Sequence, residues 1–120
     1  MATTLRVLNV SRSTELADCA GLADGFFSRF RGLLGRDGLG AGEGLVIVPC
    51  TSVHMLGMRF PLDILHLDRQ GTVVKILTNL KPGRLGPYVW RSHTVVELPA
   101  GTAAASGTQV GDQIELEPVA

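Results

Sequence analysis

At 120 residues the chain has the length of one domain, and with 45% apolar residues it can fill a core, which excludes a wholly disordered reading. Eleven basic and eleven acidic residues cancel, so no long-range field draws in nucleic acid or anionic lipid, and neither partner is expected. The opening Met1 to Val7 lacks the charged-then-apolar pattern of a secretory signal, and no segment approaches the roughly 20 apolar residues of a membrane span, so a cytoplasmic location is expected, with Cys19 and Cys50 as thiols.

Short β-rich stretches punctuate the chain: Leu5 to Val10, Leu45 to Val48, Leu62 to Leu67, Thr72 to Leu80, Thr94 to Leu98 and Ile114 to Leu116, separated by glycines. They predict a single, mainly β domain over 1–120, a compact sandwich or barrel. After the first strand, Phe26, Phe27, Phe30, Leu33 and Leu34 recur at helical spacing from Asp24 onward, which predicts an amphipathic helix packed on the sheet. The glycines from Gly38 to Gly44 lead into a strand and not a helix N-terminus, so they read as turns and not as a phosphate loop. Asp68-Arg69-Gln70-Gly71 predicts a hairpin turn between antiparallel strands. Lys81 to Arg91 reads as a loop, broken by Pro82, Gly83, Gly86 and Pro87, and it carries Tyr88 and Trp90, the only Tyr and Trp of the chain. Thr102 to Ser106 predicts a short second helix, capped by Thr102 and stopped by Gly107.

Reactive side chains concentrate between Pro49 and Asp63. In an extended chain Cys50, His54 and Met58 share a face, yet residues four apart are separated by roughly 13 Å, so a Cys50/His54 pair needs a turn near Thr51 and Ser52. With that turn Cys50 is a candidate nucleophile and His54 its base; without it Cys50 is a small core residue. Cys50-x3-His54-x3-Met58 has the ligand types of a blue copper loop, but no histidine precedes Cys50, and zinc lacks a Cys-x2-Cys or His-x3-His pair. No metal and no other cofactor is expected. Asp63 sits inside an apolar run where a solitary charge is expensive to bury, and Arg59 is the expected partner across Pro61, as a salt bridge or as a guanidinium presented to an anion. Glu43 and Glu97, at element edges, are expected to be solvated.

Arg31-Gly32-Leu33-Leu34-Gly35-Arg36, Gly42-Glu43-Gly44-Leu45, Pro49-Cys50, His54, Gly57-Met58-Arg59-Phe60-Pro61-Leu62-Asp63-Ile64, Leu67-Asp68 and Val96-Glu97-Leu98-Pro99-Ala100-Gly101-Thr102, ending in Gly111-Asp112, follow one another in an order that resembles the family called domain of unknown function 192. The resemblance covers Leu5 to Leu116, within the branch that carries Pro-Cys and His ahead of Met-Arg-Phe-Pro-x-Asp; Met55 departs from the threonine often found after that histidine. It implies a jelly-roll-like β sandwich or barrel with a packed helix, found in bacteria and archaea, and it implies no activity.

Three readings of function follow. The leading one is a binding module whose concave β face, lined by His54, Met58, Arg59 and Asp63 and flanked by Tyr88 and Trp90, holds a small ligand, with anions in range through Arg59. The second is a thiol-dependent hydrolase or transferase using Cys50 and His54. The third is a protein-interaction domain that buries the Tyr88 to Trp90 loop; a monomer or a weak homodimer is the expected state.

Overall fold

A computed structural model describes residues 3–25 and 32–119. Seven strands form one sheet: β1 (Thr4–Asn9), β2 (Thr14–Ala23), β3 (Glu43–Ile47), β4 (Leu62–Leu67), β5 (Val73–Leu80), β6 (Thr94–Pro99) and β7 (Ile114–Pro118), with a short helix α1 (Thr102–Ser106) before β7. Their spatial order is β5-β4-β6-β3-β2-β1-β7, antiparallel throughout except for the parallel β2/β3 pair.

The sheet curls into a half-barrel until its two edges meet at one end. There Thr72 bridges Gln113, and the N–H groups of Val73, Gly111 and Ile114 bond to the carbonyls of Asp112, Val73 and Gly71 at 2.8 to 2.9 Å. Gly71 permits this seam, because it sits at φ 84° and a Cβ there would lie 2.7 Å from the Ile114 carbonyl oxygen. The Asp68 to Gly71 hairpin forms as the sequence predicts: Asp68 Oδ1 accepts from the N–H groups of Gln70 and Thr72, and β4 and β5 pair antiparallel.

Two hydrophobic clusters lie on opposite faces. Residues from every strand, including Val7, Leu16, Val46, Leu65, Val96 and Ile114, fill the inside of the curl. A second cluster, built from Ile47, Leu62, Ile64 and Val95 with Val53 and Met55 of the 48–61 loop, covers the outer face of β3, β4 and β6. This explains why all six residues of β4 are buried: Leu65 and Leu67 point inward while Leu62 and Ile64 lie beneath the outer loops. The amphipathic helix expected from Asp24, with Phe26, Phe27 and Phe30, falls outside the described residues. Leu33, a described member of its apolar series, lies in a turn and is buried in the outer cluster.

Strand β2 is not visible in the sequence pattern. Thr-Glu-Leu-Ala-Asp-Cys-Ala-Gly-Leu-Ala is poor in β-branched and aromatic residues, and register shifts against β1 break its alternation. Helix α1 has the expected span and its Gly107 stop at φ 70°, but its start differs, since the N-cap is Gly101 and Thr102 Oγ1 donates to the Pro99 carbonyl.

Candidate functional site

Asp63 supplies the missing cap from a distance. Its Oδ2 accepts the N–H groups of Gly101 at 3.0 Å and Ala103 at 2.9 Å, and its Oδ1 accepts that of Asn79 at 2.9 Å. A carboxylate 1% exposed is therefore satisfied by three backbone donors at a helix start and a strand end. The expected Arg59–Asp63 pair does not exist. Arg59 instead donates to Asp37 at 2.7 Å on the surface, where the two side chains are 60% and 89% exposed and the bridge adds little. Pro61 between them enters the buried strand β4, so Asp63 points into the fold while Arg59 stays on the loop.

The segment 50–55 runs beside 83–93 as an irregular antiparallel ladder. Cys50 N–H bonds to the His93 carbonyl, Val89 to Thr51, Gly86 to Val53, Met55 to Arg84 and Gly83 to Met55, and His54 pairs with Leu85. Along it Val53 and Met55 turn into the outer cluster. Cys50, Ser52, His54 and Met58 line a cavity of about 140 Å³, whose other walls come from Gly32, Leu33, Leu34, Ile47, Pro49, Val53 and Glu97. The chain bends at Thr51, and the Cys50 S–H donates to the Ser52 carbonyl at 3.1 Å.

Glu97, expected to be solvated, contributes to the cavity as a buried residue, 6% exposed. On β6 it falls between Val96 and Leu98, which point inside the curl, and so it emerges on the outer face under the loops. Burial pushes its carboxyl from 4.5 up to about 7, and no hydrogen bond to it is found among the described residues. The sequence held the signal: Glu97 stands in an apolar run just as Asp63 does, and the same argument about the cost of burying a lone charge applies to it.

A second buried polar group braces the cavity wall. His66 is fully buried on β4, with Nδ1 2.8 Å from Ser92 Oγ, and Ser92 Oγ lies 2.8 Å from the Cys50 carbonyl. A neutral imidazole with its proton on Nδ1 satisfies this relay, donating to Ser92, which donates to Cys50; Nε2 is then a lone pair without a partner among the described residues. Burial, aided by Lys75 on the neighbouring strand, holds this imidazole down at about 4. Tyr88 and Trp90 stand 71% and 76% exposed, outside the cavity lining. Among the described residues no group of three His, Cys, Asp or Glu side chains is placed to hold a metal ion.

A single curled sheet with a loop-roofed cavity on its outer face defines the class, a small β domain whose reactive groups lie outside its barrel interior. The chain belongs to the DUF192 family of unknown function, described as "Uncharacterized ACR", whose profile matches residues 8–116. It is 33% identical over 114 residues to a UPF0127 protein of Pyrococcus furiosus, covering 91% of this chain and 96% of the relative. Its fold is similar to the crystal structure of a protein of unknown function from Novosphingobium aromaticivorans, with TM-score 0.81 and 26% identity over 95% of this chain and 84% of that one. It is also similar to that of a Sinorhizobium meliloti protein described as a candidate transcription regulator, with TM-score 0.80 and 27% identity over 97% and 94% of the two chains.

Proposed function

We propose that this domain binds a small molecule with an apolar body and a hydrogen-bond-donating or cationic head, seated on Glu97. The observation that carries this is a buried carboxyl, without a hydrogen bond among the described residues, at a cavity with apolar walls. Leaving such a group unpaired costs stability, and sites that tolerate the cost are disproportionately functional. A small head with a short apolar body fits a cavity of about 140 Å³, close to the roughly 150 Å³ that accommodates benzene. The anionic class rested on Arg59, which faces Asp37; the cavity's own charge is that of Glu97. Binding of a protonated amine would release the Glu97 proton to solution and form an ion pair at the cavity, so its affinity should rise with pH toward neutrality. His54, Ser52 and Cys50 offer further polar contacts.

The thiol-enzyme reading shares this cavity, but the Cys50 S–H is engaged by the Ser52 carbonyl, and so binding is the better-supported role. The description of the Sinorhizobium relative is compatible with a sensor domain.

The test is an amide NMR titration with n-butylamine, n-butanol and butyrate, three heads on one apolar body. Butylamine and butanol should shift the resonances of Ile47, Ser52, His54 and Met58, and butyrate should not; Glu97→Ala should abolish both responses. Equal responses to all three heads, or none to any, would contradict the proposal.

A further inference from the structure

The second feature is independent of the cavity. Seven large apolar side chains are exposed among the described residues, and four of them, Leu56, Leu85, Tyr88 and Trp90, belong to the paired loops 50–58 and 81–93. The ladder of backbone hydrogen bonds between these loops fixes their main chain, so the exposed side chains are presented on an ordered support and lose little freedom on binding. Scattered single apolar residues need no explanation; four on one rigid element do.

Charge is distributed to match. Between Arg69 and Val96 the sequence has five basic residues, Arg69, Lys75, Lys81, Arg84 and Arg91, and no acidic one. None of the five forms an ion pair among the described residues; the bridges found there involve Arg6, Arg12, Arg36 and Arg59. The chain's zero net charge thus conceals a net-basic segment next to exposed aromatic and aliphatic groups, with Asp68 the one carboxylate lining the groove shared by Arg69, Trp90 and Arg91.

We infer that the paired loops 50–58 and 81–93 form a docking face for an anionic membrane surface. Tyr and Trp partition to the headgroup level, Leu56 and Leu85 add apolar area just below it, and Lys81, Arg84 and Arg91 meet the lipid phosphates. Single-stranded nucleic acid would use the aromatic rings and the cations but has no use for two exposed leucines. Docking would be peripheral, since no helix of the described residues is long and apolar enough to cross a membrane.

Trp90 is the sole tryptophan and so reports directly. The full chain is mixed with phosphatidylcholine vesicles, with and without phosphatidylserine, and followed by Trp90 emission and co-sedimentation. The expected result is a blue shift and sedimentation only with phosphatidylserine, reversed by salt. Trp90→Ala and the double variant Arg84→Glu/Arg91→Glu should each weaken sedimentation by about tenfold or more while melting like the parent by circular dichroism. If the double variant does not fold, salt reversal and acrylamide shielding of Trp90 in the parent decide. No response to phosphatidylserine, binding that ignores salt or charge reversal, or tighter binding to single-stranded oligothymidylate than to vesicles would each overturn the assignment.

Discussion

Replacing Glu97 by Gln tests whether the carboxyl is buried and unpaired, because it changes how stability depends on pH. In the fold the Glu97 carboxyl titrates at about 7, and in the unfolded chain near 4.5. Between those values the folded state holds the extra proton, so this group's contribution to stability is intact below 4.5 and declines as pH rises through 7. The full loss is about 3 kcal/mol. His66 runs the other way: held at about 4 when folded and near 6.5 when unfolded, it contributes stability above 6.5 that disappears as pH falls toward 4, again about 3 kcal/mol. In the parent protein the two slopes oppose each other between 4.5 and 6.5 and nearly cancel. Glu97→Gln removes one of them. Urea unfolding followed by far-ultraviolet circular dichroism from pH 4.5 to 8 should give a nearly flat curve for the parent and one rising with pH for the variant, with the variant more stable than the parent by about 2 to 3 kcal/mol at pH 8. Parallel curves for the two proteins would refute the reasoning and return Glu97 to the solvated role its sequence position suggested.

Three further outcomes follow from the same geometry. Asp63→Ala strands the N–H groups of Asn79, Gly101 and Ala103 and should destabilise the fold by about 3 to 5 kcal/mol in urea unfolding; a loss under about 1 kcal/mol would show that these donors find other partners. Iodoacetamide, followed by peptide mass spectrometry, should label exposed Cys19 at least about tenfold faster than Cys50, whose S–H is bound to Ser52, and the reverse order would favour thiol chemistry in the cavity. Asp112 is held at about 2 by hydrogen bonds from Arg12, then Asn9 and the Gln109 N–H, so its contribution fades as pH falls from 3.8 to 2, and acid unfolding of Asp112→Asn should lack that limb.

Much of the scaffold was legible because strand and turn signals are local. The Asp68 to Gly71 hairpin, the Gly107 stop and strand β4 follow from residue types within a few positions of one another. β2 was hidden because its position in the sheet comes from pairing with β1 and β3, which its alanine-rich sequence does not announce. At the candidate site, the sequence picked out Cys50, His54 and Met58, which share the cavity wall, but paired Arg59 with Asp63 on proximity along the chain. The true partners of Asp63 are backbone donors up to 40 residues away, a relation only the fold creates. Glu97 joins the cavity for a similar reason, since the loops that bury it are distant in sequence. The even charge total also masked the basic run from Arg69 to Arg91, because a sum carries no information about where the charges lie.

The central claim is that Glu97 is a buried, protonatable anchor for a ligand's donor head. It is tested most directly by following the carboxyl carbon of Glu97 by NMR through a pH titration, with and without saturating n-butylamine. The account predicts a midpoint of about 7 in the free protein that moves clearly lower with the amine. A midpoint near 4.5, unmoved by the amine, would contradict it.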